Sequence, residues 1–264
     1  MTYLYIRWAV GPEILAFGSF QIRWYGLLFA AGFLIGFYLM RWIYRQEQRN
    51  EKDLDTLLGY LLIGTIVGAR LGHCLFYEPA YYLSNPIEIL KVWEGGLASH
   101  GGTIGVFLAL YLYSRRRPDQ PFLWLSDRLT IPTALTASLI RLGNLFNSEI
   151  YGKITTVPWA FIFERVDPHP RHPTQVYEAV AYLALFFLLL FLYRRGVYLR
   201  WREGRPLGFF LLWVFGWRLV IELVKEPQEG FELGLPLNMG QLLSLPFLVV
   251  GLYLFVRKSY RIFG

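Results

Sequence analysis

The sequence Arg141-Leu-Gly-Asn-Leu-Phe-Asn-Ser-Glu-Ile-Tyr-Gly152 places charged and amide side chains at the end of a long apolar run. One arginine near the centre of a bilayer costs roughly 2.5–3.5 kcal/mol on insertion scales. Two further arginines, Arg70 and Arg218, lie in stretches that otherwise suit lipid. Each could form a structural ion pair between helices. Three together favour a polar cavity that holds an anion, because such residues normally face a bundle interior or a wet cavity.

The composition around this segment is that of an integral membrane protein. Of the 264 residues, 55% are hydrophobic and 17% are charged, whereas soluble domains carry about 25% charged residues. Long apolar runs without alternation argue for helices and against a barrel. We predict an all-α integral membrane protein that forms a single polytopic domain over residues 1–264. Its roughly seven transmembrane helices are expected at 21–40, 56–77, 99–114, 129–147, 175–193, 207–225 and 239–256.

Membrane topology explains the net charge of +7. Basic residues cluster in alternate connections, at 41–52, 115–117, 194–205 and 257–258, as expected for cytoplasmic loops under the positive-inside rule. We therefore predict an outer N-terminus, a cytoplasmic C-terminus and no nucleic-acid partner. The opposite connections are poor in Lys and Arg and contain Glu13, Glu78, Glu88, Glu94, Glu164, Asp167, Glu226, Glu229 and Glu232.

Three segments or residues outside this pattern have simple interpretations. Residues 1–19 lack the basic and apolar regions of a signal peptide, so we predict an interfacial segment. Residues 148–174 contain four prolines and are expected to form a small extended element with turns on the outer side. Cys74 is the sole cysteine, which excludes an internal disulfide. We interpret it as a small buried hydrophobic residue, because the adjacent His73 points to another side of the helix.

Glycines four residues apart predict close contacts between helices. Gly32 and Gly36 lie in the first span, and Gly64, Gly68 and Gly72 lie in the second. Small residues at this spacing let helix backbones approach closely in lipid. The second span also carries an arginine roughly opposite its glycine stripe, so we expect protein or a cavity on both of its sides.

His100 opens the third span within a glycine-rich sequence, Gly95-Gly96-Leu-Ala-Ser-His100-Gly-Gly102. A helix N-terminus favours anions and disfavours an imidazolium, so His100 would tend to stay neutral and able to accept a proton. The alternative is a structural histidine that is bonded to a neighbouring helix.

Two further polar groups follow helical spacing. Arg141, Asn144 and Ser148 share one helix face, and Glu149 follows at the predicted helix end. Arg218 and Glu222 are four residues apart, which also permits a purely intrahelical ion pair. The planar guanidinium fork matches phosphate oxygens, so these arginines are candidates for phosphate binding.

These motifs, in this order, resemble the prolipoprotein diacylglyceryl transferase family over nearly the whole chain. Two positions depart from the family pattern. Leu97-Ala-Ser99 precedes the histidine where Met-Ser and an aromatic residue are usual, and Lys225 replaces an expected arginine. The motifs are Trp24-Tyr25-Gly26, Gly68-Ala-Arg70-Leu-Gly72, Gly95-Gly96 with His100-Gly101-Gly102, Arg141-Leu-Gly-Asn144 with Asn147-Ser-Glu149 and Gly152, His172-Pro-Thr-Gln175-Val-Tyr177-Glu178, Arg218 with Glu222, and Met239-Gly240-Gln241 with Ser244 and Pro246.

The resemblance implies a multi-pass enzyme of the bacterial inner membrane. It would transfer the diacylglyceryl group of phosphatidylglycerol to the lipobox cysteine thiol of a prolipoprotein and release glycerol phosphate. No cofactor or metal is implied. His100 is the candidate base for the thiol, although it could serve only to position substrate, and Arg141 and Arg218 would stabilise the phosphate leaving group. The expected substrate-binding residues are Arg141, Arg218, Tyr25, Arg70, Asn144, Glu149, Gly152 and Glu222.

A transporter or channel for an anionic solute is the competing interpretation, since buried arginines also line such pathways. A transferase makes lipidated protein without a gradient, whereas a transporter moves solute without changing covalent bonds.

Overall fold

Long helices dominate the computed structural model, which describes residues 5–17, 20–96, 98–226 and 237–257. Short strands β1 (Ile6–Trp8), β2 (Glu13–Phe17) and β3 (Phe20–Arg23) precede them. The helices and remaining strands, in chain order, are α1 (Trp24–Gln46), α2 (Lys52–Phe76), α3 (Pro79–Ser84), α4 (Ser99–Arg116), α5 (Phe122–Asn147), β4 (Phe161–Phe163), β5 (Pro170–Arg171), α6 (Thr174–Arg194), α7 (Val197–Arg200), α8 (Arg205–Ile221) and α9 (Met239–Val256), with 3-10 turns at Pro86–Leu90 and Val92–Glu94 between α3 and α4.

The mostly helical architecture agrees with the predicted membrane class. Among the described residues, four helices, α1, α2, α6 and α9, are long and apolar enough to cross a membrane. Each predicted span overlaps one long helix, but the boundaries differ. The first helix begins at Trp24 instead of residue 21, because 20–23 pair with β2 as strand β3. The sixth ends at Ile221 instead of residue 225, where the chain turns and Lys225 forms a β-bridge with Gly152.

The chain divides into two compact units, of which one comprises Met40–Ser126. Within it, α2 and α4 meet along their glycines. A Cβ atom on Gly64 would lie 2.6 Å from the carbonyl oxygen of Gly105, and one on Gly72 would lie 2.7 Å from the Cα of Gly101. The predicted close approach of the second span to another helix is thus confirmed.

A buried polar network lies in the same unit. The Tyr44 hydroxyl donates to Oε1 of Gln120 at 2.6 Å, and the Tyr113 hydroxyl donates to the same oxygen at 3.0 Å. Nε2 of Gln120 donates to Asp53 at 2.8 Å, and Arg117 pairs with the other carboxylate oxygen at 2.7 Å. These contacts join α1, α2 and α4 to the connection before α5. They also give the buried polar side chains of the network hydrogen-bond partners, as buried polar groups require.

The other unit comprises residues up to Leu39 and from Asp127 onward, so far as they are described. Here Gly32 of α1 faces Thr136 of α5, where a Cβ would meet Cγ2 at 2.7 Å. The Asp127 carboxylate accepts hydrogen bonds from the backbone N–H groups of Gly204, at 2.7 Å, and Leu207, at 3.0 Å. It therefore satisfies otherwise unpaired N–H groups around the start of α8.

Two small sheets complete this unit. β2 and β3 form an antiparallel pair, while β4 pairs in parallel with β1 and antiparallel with β5. The segment 148–174 contains β4 and β5, which are extended as predicted. Glu229, Glu232, Lys258 and Leu97, which entered the sequence interpretation, lie outside the described residues.

Candidate active site

Arg141 is held by a carboxylate on a neighbouring helix. Its Nε lies 2.8 Å from Oε2 of Glu178, a residue of α6 that is fully buried. The same guanidinium donates a hydrogen bond to the Tyr182 hydroxyl, one turn further along α6. The lone cation in the apolar half of α5 thus meets the lone acid of α6.

A chain of amides connects Arg141 to Glu149. Nη1 of Arg141 donates to Oδ1 of Asn144 at 3.2 Å, and Nδ2 of Asn144 donates to Oε1 of Glu149 at 2.7 Å. Asn147 donates to the same carboxylate oxygen at 3.1 Å. Glu149 can fold back because α5 ends at Asn147 and Ser148 has a φ of 54°. The helix-face relationship of Arg141 and Asn144 is therefore present, and the carboxylate joins it.

Tyr25 lies against the same helix. A Cβ on Gly143 would be 2.9 Å from Cδ2 of Tyr25, so this glycine makes room for the ring. Four predicted site residues, on α1, α5 and the turn after α5, are thereby brought together.

A second charged group is centred on Lys225, which follows α8. Its Nζ lies 3.1 Å from Oε1 of Glu222 and 3.8 Å from Oε1 of Glu178. Glu222 also receives the ion pair of Arg218, at 3.7 Å, and a hydrogen bond from Nδ2 of Asn238, at 3.0 Å. Ion pairs thus connect Arg141, through Glu178 and Lys225, to Glu222 and Arg218.

Arg218 is the least satisfied cation of this group. Its buried Nε has no hydrogen-bond partner among the described residues, and its side chain is 30% exposed. The predicted intrahelical pair with Glu222 is present, but it is long.

Gly152 brings the segment 148–174 against Lys225. The two residues form a β-bridge, and the Gly152 N–H donates to the His172 carbonyl at 2.8 Å. A Cβ on Gly152 would lie 2.6 Å from both His172 Cβ and the Val224 carbonyl oxygen. The glycine is therefore required by close packing beside the site.

Two side chains in the segment 148–174, Asp167 and His172, have pKa values that are shifted by ion pairing and by burial. Hydrogen bonds from Arg171 lower the pKa of Asp167, whose Oδ2 lies 2.6 Å from Nη2. Burial lowers the pKa of His172, so its ring favours the neutral form. Its Nδ1 lies 3.2 Å from the Tyr177 hydroxyl.

The remaining predicted residues, Arg70 and His100, belong to the unit 40–126. Arg70 is 4% exposed, and its guanidinium donates hydrogen bonds to backbone carbonyls. His100 is the second residue of α4 and is exposed. Cys74, also in this unit, is buried as predicted. In the described ranges of the chain, no three His, Cys, Asp or Glu side chains form a group that could hold a metal ion.

Three residues that contact the predicted site residues had no predicted site role: Glu178, Lys225 and Tyr182. Glu178 is the one charged residue between Arg171 and Arg194, and Arg141 is the one charged residue between Arg128 and Glu149. Single opposite charges on two apolar helices indicate a pair, because an unpaired charge in such a segment is expensive. That signal could have identified Glu178, whereas no comparable pattern distinguishes Tyr182.

Comparison with known proteins gives a consistent result. The model of the family described as prolipoprotein diacylglyceryl transferase matches residues 12–257. The chain is similar to the phosphatidylglycerol–prolipoprotein diacylglyceryl transferase of Tolumonas auensis, with 53% identity over 96% of this chain and 97% of that protein. The proteins of the same name from Chloroherpeton thalassium and Rickettsia typhi are 49% and 40% identical, each over 96% of this chain and over 94% and 98% of their own lengths. The chain belongs to the prolipoprotein diacylglyceryl transferase family.

Proposed function

We propose that this protein transfers the diacylglyceryl group of phosphatidylglycerol to the lipobox cysteine of a prolipoprotein, with glycerol phosphate as the second product. The observation that carries the proposal is Arg218, whose buried Nε–H lacks a hydrogen-bond acceptor among the described residues. A phosphate oxygen is a suitable acceptor for it, since guanidinium binds phosphate through charge-assisted hydrogen bonds.

The charge of the connected group supports an anionic donor. Three of its five ion-paired members are cations, and a phosphodiester is an anionic ligand that suits them. The amide chain from Asn144 to Glu149 offers groups that hydrogen bond with hydroxyls, which suits the glycerol headgroup. Tyr25, whose ring packs against Gly143 of α5, adds a hydroxyl group. The five members are Arg141, Arg218, Lys225, Glu178 and Glu222.

In the proposed reaction the cysteine sulfur attacks the glyceryl carbon that is bonded to the phosphate oxygen. A carbon–sulfur bond forms as the carbon–oxygen bond breaks, and the electron pair leaves with that oxygen. Negative charge therefore grows on the phosphate, where Arg141 and Arg218 stabilise it electrostatically. Their benefit is catalytic because the charge is greater in the transition state than in the bound lipid.

The thiol must lose its proton, because the thiolate is the nucleophile. His100 is our candidate for the base. Its position as the exposed second residue of α4 supports this role, because an exposed imidazole is accessible to a substrate thiol.

The proposal includes a seven-span topology in the bacterial inner membrane, as a single polytopic domain. The N-terminus and the segment 148–174 face outward, and the C-terminus is cytoplasmic. Segregation of Lys and Arg in alternate connections supports this orientation.

Purified protein in detergent tests the function directly. With phosphatidylglycerol and a lipobox peptide, mass spectrometry should detect a peptide that has gained one diacylglyceryl group, together with free glycerol phosphate. A peptide with serine in place of the cysteine, and phosphatidylcholine as the lipid, serve as controls and should give no product. Failure of the complete mixture to form the thioether would overturn the proposal.

A further inference from the structure

The guanidinium of Arg70 binds the backbone that leads into α4. Its Nε donates to the carbonyl oxygen of Ile89 at 3.0 Å, and Nη1 donates to those of Gly95 and Gly96 at 2.6 and 3.4 Å. Nη2 donates to the Glu88 carbonyl. Four hydrogen bonds therefore occupy most of the five N–H groups of an arginine.

The residue before Arg70 holds the other side of the same connection. The Ala98 N–H donates to the Ala69 carbonyl at 2.9 Å, and the Ala98 carbonyl then accepts from Gly102 in the first turn of α4. His100 lies between these two anchored residues. Residues 69 and 70 of α2 thus fix the backbone immediately before His100.

The connection also has no space in which to shift toward α2. Gly96 has a φ of +65°, which L residues rarely adopt. A Cβ at this position would lie 2.6 Å from Cδ2 of His73 and 2.8 Å from Nη1 of Arg70. Any side chain on Gly96 must displace the connection or the guanidinium beneath it.

We infer that Arg70 is a positioning residue that acts through His100. By holding the carbonyls of 88–96 it fixes where α4 begins, and hence where the imidazole of His100 is presented. This inference rests on the proposed function, in which His100 accepts the thiol proton. It assigns to Arg70 a role different from direct contact with the phospholipid.

Steady-state kinetics separate the two roles. Arg70→Ala should lower kcat by about 10- to 100-fold, because a small misplacement of a catalytic group has an effect of this size, with little change in KM for phosphatidylglycerol. Gly96→Ala keeps the Arg70 charge and should reproduce the pattern. Gly59→Ala, an α2 position where a Cβ meets no atom within 4 Å, is the matched control and should leave kcat unchanged. A raised KM at unchanged kcat in Arg70→Ala would instead assign Arg70 to lipid binding.

A double-mutant cycle tests the connection to His100. If Arg70 acts through the imidazole, Arg70→Ala/His100→Asn should be about as slow as His100→Asn alone, because the two losses are not independent. Losses that add would overturn the inference. If Arg70→Ala does not fold, Gly96→Ala takes its place in the cycle.

A readout without turnover separates this inference from the proposed function. Amide hydrogen exchange at 98–102, and the rate of His100 modification by diethyl pyrocarbonate, should rise in Arg70→Ala and in Gly96→Ala and stay at the wild-type level in Gly59→Ala. Equal exchange and modification rates in the wild type and Arg70→Ala would overturn the positioning role. If the wild-type protein makes no thioether but the variants still differ from it in exchange and modification rates, the proposed function is refuted and the positioning role remains.

Discussion

Nε of Arg141 and Oε2 of Glu178 lie 2.8 Å apart and join α5 to α6 inside the helical unit. Glu178 is fully buried, and Lys225 approaches its other carboxylate oxygen at 3.8 Å. One carboxylate thus orients an arginine and compensates two cations. Glu178 meets the arginine at Nε, and Asn144 and Tyr182 accept from the guanidinium, so two of its five N–H groups remain for a substrate phosphate.

Replacement of Arg141 tests the guanidinium fork. Arg141→Ala should lower the rate of transfer by about 10²–10³-fold, as removal of one electrostatic stabiliser does elsewhere. Arg141→Lys should remain far below wild type, because an ammonium is a point charge and cannot bind two phosphate oxygens side by side. Initial rates with saturating peptide measure both effects. Full activity in Arg141→Lys would remove two-pronged phosphate binding from the mechanism.

Replacement of Glu178 tests the buried pair. Glu178→Gln leaves two cations without their carboxylate and should destabilise the protein by roughly 3–5 kcal/mol, as loss of one buried partner does. Thermal unfolding in detergent should therefore show a large fall in Tm. The matched control is Glu164→Gln, because its pair with Arg7 is solvent-exposed and should contribute only about 0–1 kcal/mol. Equal Tm shifts in the two variants would contradict a central role for Glu178.

The pH dependence of turnover distinguishes a base from a positioning group at His100. If the imidazole takes the thiol proton, His100→Asn should be slower by about 10²–10⁴-fold at neutral pH. The deficit should shrink as pH rises toward the thiol pKa, because solution then supplies thiolate. Rates for both proteins between about pH 6 and 9, at saturating lipid, measure this. A deficit that does not change with pH would argue against the base.

Asp167 provides a pH test of stability. Arg171 lowers the pKa of this carboxyl in the folded protein, so the ion pair contributes stability above the unfolded pKa. That contribution is lost as pH falls through the lowered folded pKa. The Tm difference between wild type and Asp167→Asn should thus be full at neutral pH and shrink below about pH 4. A difference that grows on acidification would contradict this sign.

Topology can be tested with single cysteines in a Cys74→Ala background. Cysteines at inner positions should resist an impermeant thiol reagent that is added to spheroplasts, and cysteines at outer positions should react. Labelling of the Arg116 site from outside would contradict the orientation. The inner positions lie near Arg116, near Gly204 and after Lys258, and the outer positions lie near Glu88, Asp167 and Glu229.

Local periodicity predicted the parts of the site that lie on one helix. The spacing of Arg141 and Asn144 places them on one face of α5, and the glycines of α2 predicted its contact with another helix. The partner of Arg141 was harder to predict, because helix spacing does not reveal which helices are neighbours. The contacts of Arg70 were not predictable, since they are backbone carbonyls of an irregular connection. Strand β3 was missed because its pairing with β2 is a contact between two backbone segments, which apolar content does not encode.

The contact of α2 with α4 has a consequence for the order in which the chain assembles. Lipid tails compete with apolar side chains for a helix surface, so helices in a membrane associate through close backbone packing. Gly64 and Gly105 provide such packing between two consecutive long helices of the chain. This glycine contact involves no residue after Arg116. The pair can therefore form while the C-terminal half is still being synthesised, and His100 is carried on a helix that reaches its partner early.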